Sequence, residues 1–398
     1  MIQARHDTSA RATRIARTAI GGFVVMAVVG SMYGMSAPQF LFPERNASDA
    51  PVSAAGFGVV CLGLAIGTPL AGRLLRLHAP RTIATAGAVV WSVAVVVSGL
   101  LIGSGGWALA LVPLIVGGVG VGLTYLAVVD CLGPQFPHRP LVGAAIGPAG
   151  FTTGTAAVYL LALFVIEPAS DDRQIGTVIA VMGAAGVALS LTGLWLPTRP
   201  AGTNDVAEPV GWRAQQLRMS ILLAINAMPG MLLLSVAFPL VSAWSSLPYT
   251  QTATVLTATV PALFFGGLVS PWLSRRLSSR GTFVALLTVR AVALVVAAFV
   301  HDLRVLIPLL AIVLVGHGSG FAVLPGIVRS MNPAPQFASY YGTVLTAWGI
   351  SGAFAALIAV ISWAPASGPG AGLLGLGILL LVTAAVLARG GIRRPLAH

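Results

Sequence analysis

The chain has 398 residues, of which 57% are hydrophobic and only 8% are charged, and its formal net charge is +12. Soluble domains carry about 25% charged residues, so this composition excludes an ordinary soluble protein. The basic side chains form no patch with interleaved aromatic residues, which argues against a nucleic-acid partner. Nearly continuous apolar runs of ~20 residues predict helices that span a membrane.

Hydropathy divides the chain into twelve predicted spans, numbered 1 to 12 in chain order. No small-residue cleavage site follows the first apolar run, so we expect a retained helix rather than a signal peptide. Residues 1–18 and 390–398 are then terminal tails. The spans cover residues 19–41, 54–75, 83–102, 107–130, 141–166, 175–196, 218–242, 252–274, 282–300, 305–329, 338–362 and 367–389.

The distribution of arginine predicts the orientation, because loop arginines mark the cytoplasmic side of a membrane protein. With the N-terminus inside, every arginine except Arg45, Arg173, Arg290 and Arg304 falls in a cytoplasmic segment. We therefore expect a multi-pass protein of the plasma (inner) membrane with both termini in the cytoplasm.

An internal repeat divides the twelve spans into two sets of six. GVGVGLTYLAVVDCLGPQF begins at Gly118 and GHGSGFAVLPGIVRSMNPAPQF begins at Gly316, an offset of 316 − 118 = 198 residues. Both copies have alternating glycines, an apolar helix and a Pro-Gln-Phe turn. The repeat predicts two six-helix bundles, 19–197 and 218–389, joined by a cytoplasmic linker at 198–217.

Two repeated six-helix halves with a cytoplasmic linker are typical of one transporter architecture. The chain resembles the major facilitator superfamily over its whole length. Its signature in the loop between spans 2 and 3 is matched by Gly72, Leu74, Pro80 and Arg81, but Arg76 stands in the acidic position. The resemblance implies secondary transport by alternating access, in which the two halves rock around one central site.

Short motifs resemble the oxalate:formate antiporter and monocarboxylate transporter group. They are GSMYG (30–34), GVGLTY (120–125), AGF (149–151), GSGFAVLP (318–325) and YYG (340–342). The resemblance implies that Tyr33, Tyr125, Phe151 and Phe321 are aromatic walls of a central cavity. The group's arginine and lysine that bind the dicarboxylate fall at Ser270 and Trp348, so we expect a monocarboxylate or a less polar solute rather than oxalate.

His317, Arg290, Asn226 and Trp348 are candidate site residues inside predicted spans, where ionisable groups usually face the bundle interior. His317 is either a substrate ligand or proton carrier, since imidazole in water titrates near neutral pH, or a neutral hydrogen-bonded ring. Arg290 either binds an anion or makes a structural contact between helices. Asn226 precedes a Pro229-Gly230 break, where unwound backbone can contact substrate. Trp348 either stacks on the substrate or packs against lipid.

Asp130 is the only acidic residue within a predicted span, at the cytoplasmic end of span 4. Arg329 occupies the equivalent end of span 10. We hypothesise that the two form a gate pair, made when the carrier is closed to the cytoplasm. Two alternatives are a pair with Arg73 or Arg76, and a hydrated interfacial carboxylate.

The sequence carries no phosphate-binding loop and no metal-ligand pattern, so we expect no enzyme and no cofactor. The expected function is secondary transport of a small organic anion by a monomer in the lipid bilayer, with proton coupling left open. The alternatives are a proton-coupled exporter of hydrophobic compounds and a non-transporting membrane sensor or scaffold.

Overall fold

A computed structural model describes residues 2–40, 50–136, 140–165, 170–198, 212–244, 247, 249–331, 334–362 and 368–389. These residues are almost entirely helical, and no strand occurs among them. They contain 12 helices or helix pairs that are long and apolar enough to cross a membrane. The predicted all-α membrane fold with twelve spans is therefore confirmed.

Each predicted span corresponds to one helix, except where a helix is extended or broken. In chain order the helices are Ile2–Gly30 with the 3-10 segment Ser31–Phe40, Ala50–Leu74, Pro80–Gly103, Trp107–Gln135, Pro140–Val165, Asp172–Ser190 with the 3-10 segment Leu191–Trp195, Trp212–Trp244, Tyr249–Thr259 with Ala262–Arg276, Ser279–Ala297, Leu303–Met331, Ala334–Ser362 and Gly368–Arg389. Successive spans alternate in direction. The first helix therefore begins and the last helix ends at the same end of the bundle, which we call the terminal face.

Two helices extend beyond the predicted membrane limits. The first begins at Ile2, within the segment predicted as a tail, and the seventh begins at Trp212, within the predicted linker. Hydropathy locates the apolar part of a helix and not its end. Residues 213–217, Arg-Ala-Gln-Gln-Leu, are strong helix formers that carry the seventh helix past that limit. Residues 199–211 of the linker and the tail 390–398 lie outside the described residues.

Span 8 is not the continuous helix that its apolar run predicts. Its first helix ends at Thr259 and its second begins at Ala262, after Pro261. Proline has no backbone N–H to continue the helical ladder, and the Val260 N–H instead donates to the Thr257 carbonyl at 3.2 Å. Leu263, in the first turn after this break, lines the central cavity described below.

The two halves repeat one set of helix contacts. Span 2 packs on span 4 as span 8 packs on span 10, span 3 on span 6 as span 9 on span 12, and span 1 on span 5 as span 7 on span 11. Between the halves, span 2 packs on span 11 and span 5 on span 8. The paired contacts relate the halves by an approximate two-fold axis.

Glycines set the distance between spans 1 and 5. A Cβ atom on Gly154 would overlap the Ala27 carbonyl, and one on Gly30 would overlap the Phe151 carbonyl. Small residues allow such close backbone approach in membrane bundles. The Thr155 hydroxyl also donates to the Gly30 carbonyl at 2.9 Å. This crossing holds the Tyr33 ring edge-on to the Phe151 ring, with centroids 5.0 Å apart.

Candidate functional site

Six rings from both halves enclose a small cavity on the two-fold axis. We call them the cage, and they are Tyr33, Tyr125, Phe151, His317, Phe321 and Trp348. Each is at most 6% exposed. The cavity is about 20 Å³, which is room for roughly one water molecule. In this state the six side chains of the cage are almost fully shielded from solvent.

The cage rings pack mostly edge to face around Trp348. Its ring centroid lies 4.8 Å from that of Tyr125, 4.9 Å from Phe321 and 5.5 Å from Phe151. Edge-to-face pairs of this kind are favourable beyond the area that they bury. Trp348 is 1% exposed, so the alternative that it packs against lipid is wrong. The structure thus brings together the four aromatic residues implied by the resemblance, with His317 and Trp348.

The Tyr33 hydroxyl joins the two halves. It accepts a hydrogen bond from Trp348 Nε1 at 2.9 Å and lies 3.0 Å from His317 Nε2. Tyr33 belongs to the N-terminal half, whereas Trp348 and His317 belong to the C-terminal half. In the arrangement that satisfies all three groups, Tyr33 donates to Nε2 and the ring proton of neutral His317 sits on Nδ1.

His317 has one face on the cage and its Nδ1 turned towards span 7. The Ala227 backbone approaches the ring as a hydrogen-bond acceptor, although no described residue meets full hydrogen-bond geometry with Nδ1. A Cβ atom on Gly230 would overlap the imidazole. The Pro229-Gly230 segment, predicted as a backbone break, lies within the continuous helix Trp212–Trp244, where its glycine makes room for His317.

Arg290 reaches from span 9 into the C-terminal half. Its Nη1 donates to Asn226 Oδ1 on span 7 at 2.9 Å, and the side chain is 1% exposed. Gly316 accommodates the aliphatic stem of Arg290, and Gly320 accommodates the Asn226 amide. The alternating glycines of span 10 therefore clear space for two polar side chains that lie behind His317.

Asp130 and Arg329 meet at the ends of spans 4 and 10 near the terminal face. The distance from Arg329 Nη2 to Asp130 Oδ1 is 4.0 Å. The same nitrogen donates to the carbonyls of Asp130 at 3.2 Å and Val129 at 3.3 Å. Asp130 is buried, so the alternative of a hydrated carboxylate is wrong. Among the described residues its ion pair is with Arg329, not with Arg73 or Arg76.

Aromatic residues connect this contact to the cage. The Arg329 guanidinium lies 3.8 Å from the centroid of the Phe337 ring, close enough for a cation–π interaction. Phe337 stacks on Tyr341 with centroids 5.2 Å apart. The Tyr341 and Tyr125 hydroxyls are buried without hydrogen-bond partners in the described chain.

Sequence reasoning missed several residues of this site. The sequence identifies Phe337 only as part of the repeated Pro-Gln-Phe turn. Its contact with Arg329 could have been suspected because this turn directly follows the helix that carries the arginine. Thr152 and Leu263 line the cavity. Thr152 follows the identified Phe151, whereas no pattern in the sequence indicates Leu263.

Comparison with solved structures shows the fold. The chain is similar to the E. coli xylose transporter XylE in a partially occluded inward open conformation, with 14% identity, a TM-score of 0.73 and coverage of 96% of this chain and 98% of that one. It is also similar to FucP, a major facilitator superfamily transporter in the outward conformation, with 16% identity, a TM-score of 0.68 and coverage of 94% and 97%. The FucP of E. coli is a fucose:proton symporter. The chain therefore has the major facilitator fold over almost its full length.

Comparisons by sequence identify no relatives of the chain. No family model matches the chain, and no curated protein matches it.

Proposed function

We propose that the protein is a secondary active transporter that moves a small organic anion, a monocarboxylate, across the membrane by alternating access. The observation that carries the proposal is the closed cage on the two-fold axis, with Tyr33 of one half hydrogen-bonded to His317 and Trp348 of the other. Transporters with this architecture hold their cargo at the interface between repeats, near the middle of the bilayer.

The polarity of the buried groups favours an anionic cargo. Arg290 and His317 are buried in the C-terminal half. Among residues whose burial the structure describes, Asp130 is the only buried acidic side chain, and it lies near the terminal face rather than at the cage. The positive charge of Arg290 near an apolar aromatic cage suits one carboxylate attached to an apolar body.

The cage is poorly suited to a sugar, although the similar solved structures include sugar symporters. Its lining in the described chain contains hydroxyl, imidazole and indole groups, but no amide or carboxylate side chain. Pairing every hydroxyl of a sugar needs more donors and acceptors than these few groups offer, and each buried hydroxyl left unpaired costs about 1–3 kcal/mol.

The Asp130–Arg329 contact serves as the gate at the terminal face, which the arginine distribution assigns to the cytoplasm. While it is formed, spans 4 and 10 close the path below the cage. When the halves rock apart, Arg329 loses the two carbonyls and the carboxylate of span 4 together, while Phe337, which belongs to the same half as Arg329, stays beside the guanidinium. The gate therefore opens in one step, and the cargo passes between the Tyr125 and Tyr341 hydroxyls. We place the protein in the plasma (inner) membrane as a monomer.

Counterflow in proteoliposomes tests the proposal. Vesicles loaded with unlabelled pyruvate, lactate, acetate, benzoate or xylose are diluted into the labelled compound at two pH values. We expect exchange of a monocarboxylate, its loss in His317→Ala, and no exchange of xylose. If xylose exchanges and no carboxylate does, the assignment of an anion is wrong. A rate that depends on a proton gradient shows coupling to protons, and exchange of no solute at all favours a sensor or scaffold.

A groove in the N-terminal half supports a second candidate, a proton-coupled exporter of hydrophobic compounds. It has a volume of about 430 Å³ and is lined almost wholly by apolar groups of spans 1, 3, 5 and 6, with Trp91 at its base. A lipophilic compound dissolved in the bilayer has access to such a groove. Resistance of expressing cells to lipophilic toxins, without carboxylate exchange, would select this function.

A further inference from the structure

We infer that Arg290 and Asn226 form the carboxylate subsite of the transporter, behind His317, and that the apolar body of the cargo occupies the cage. This inference rests on the proposed function and deepens it. It assigns a binding role to an arginine on span 9, which faces its own half and does not line the cavity of the closed state.

Among the described residues, Arg290 is the one buried cation whose guanidinium has nitrogens without hydrogen-bond partners. It makes one hydrogen bond, to Asn226 Oδ1, while its Nε and Nη2 atoms are buried without partners in the described chain. The only buried acid described, Asp130, pairs with Arg329. A buried charge needs pairing or hydrogen bonding to be tolerated, so Arg290 is prepared for a partner that the chain itself does not supply.

The neighbouring unpaired groups are also nitrogen atoms. Asn226 Nδ2 has no hydrogen-bond partner among the described residues, and the only group that approaches His317 Nδ1 there is the Ala227 backbone, outside full hydrogen-bond geometry. An amide NH₂ and a guanidinium can only donate, as does Nδ1 of the tautomer assigned above. A cluster of hydrogen-bond donors without acceptors favours a ligand that can only accept hydrogen bonds. A carboxylate is such a ligand, and it can accept two parallel hydrogen bonds from a guanidinium.

The glycines of span 10 place this cluster within reach of the cage. Gly316 and Gly320 hold Arg290 and Asn226 against the backbone of the helix whose His317 and Phe321 line the cavity. When the halves separate, the Tyr33–His317 hydrogen bond breaks and the imidazole becomes free to turn aside, which gives the cavity access to the cluster. A carboxylate that enters there replaces or joins the Asn226 oxygen, which is the neutral acceptor of the closed state.

The variant Asn226→Asp separates a binding role from a structural one. It places a carboxylate beside Arg290 and supplies the missing counter-charge from within the chain. A purely structural Arg290 is better satisfied in this variant, so folding and transport are both retained. If Arg290 instead binds the cargo, the new carboxylate at position 226 occupies its binding site. The protein then folds at least as well as wild type but no longer binds an anion.

The measurement is the melting temperature of the purified full-length protein against increasing benzoate, pyruvate, lactate or acetate, with neutral benzamide as the comparison ligand. A ligand that binds only the folded state raises the melting temperature with its concentration. We expect at least one carboxylate to stabilise wild type. Its apparent affinity should fall about 10- to 100-fold in Asn226→Asp and in Arg290→Gln, as expected for loss of charged hydrogen bonds. The matched control Arg304→Gln removes an exposed arginine of the same half and should leave the affinity unchanged.

The outcomes distinguish the subsite from the function. If a carboxylate stabilises wild type and folded Asn226→Asp equally, the subsite is wrong while the proposed anion transport stands. If no carboxylate stabilises wild type and none exchanges in vesicles, both fail. If the effect of Arg290→Gln is matched by Arg304→Gln, the contribution is long-range charge, and the subsite is again wrong.

Discussion

Replacing Tyr33 by phenylalanine should release the contact between the two halves. The substitution removes one oxygen, which accepts from Trp348 Nε1 at 2.9 Å and pairs with His317 Nε2 at 3.0 Å. Both nitrogens are buried in the closed state and reach water when the halves separate. Leaving a buried polar group unpaired costs about 1–3 kcal/mol. Two such groups, at about 1 kcal/mol each, shift the equilibrium by about 2 kcal/mol, or roughly 30-fold, towards open states.

A native cysteine reports this shift. Cys61 lies in the seam between spans 2 and 11, where it is fully buried and faces Gly352. In a Cys131→Ala background it is the only cysteine. Its alkylation by N-ethylmaleimide requires the seam to open, and when opening is fast relative to the reaction, the rate follows the population of open states. We expect Tyr33→Phe to raise the alkylation rate about 30-fold.

Tyr159→Phe is the matched control for this experiment. Its hydroxyl is also buried between spans 1 and 5 and lies 2.7 Å from the Ser36 hydroxyl, but both residues belong to the N-terminal half. The control therefore removes a buried hydroxyl without touching the contact between the halves. Equal alkylation rates in Tyr33→Phe and Tyr159→Phe would show that the Tyr33 hydroxyl does not hold the halves together.

Three further predictions concern the gate and the stability of the bundle. Exchange lost in Asp130→Arg or in Arg329→Asp should return in the double variant; a double variant no better than the single ones refutes the pairing. Arg280→Ala should lower the free energy of unfolding by about 1–2 kcal/mol, because Arg280 donates to the last carbonyls of span 12, including that of Leu387 at 2.6 Å. A melting temperature equal to that of wild type contradicts this role. Gly154→Leu should destabilise the fold by about 1–3 kcal/mol or more, whereas Gly372→Leu, which meets nothing within 4 Å, should be neutral in the same melting experiment.

The span pattern was predictable because one physical constraint determines it. A helix that crosses hydrocarbon must be apolar for its full length, so apolar runs locate the spans even without knowledge of their packing. The break in span 8 was not predictable in the same way. Pro261 lies in an apolar run like Pro308 and Pro325 of span 10, yet the helix continues through those two, since neighbouring groups decide whether a proline interrupts a membrane helix.

The candidate site was predictable in its residues more than in its contacts. The repeat placed Asp130 and Arg329 at equivalent helix ends, and the structure brings them within 4.0 Å. The contact between Arg290 and Asn226 joins spans 9 and 7, which no repeat or spacing relates. It depends on the absence of side chains at Gly316 and Gly320, so it becomes visible only once the three helices are packed.

The gate pair Asp130–Arg329 joins equivalent positions of the two repeats, and this symmetry restricts which residues can pair there. Asp130 and Arg329 occupy corresponding places in the two repeats, to within a helical turn. In a symmetric dimer, a position on the axis meets its own copy. Two identical six-helix copies therefore cannot place an acid opposite a base at such a position. The Asp130–Arg329 attraction thus depends on the two repeats differing at this position, and a homodimer of either half alone would lack it.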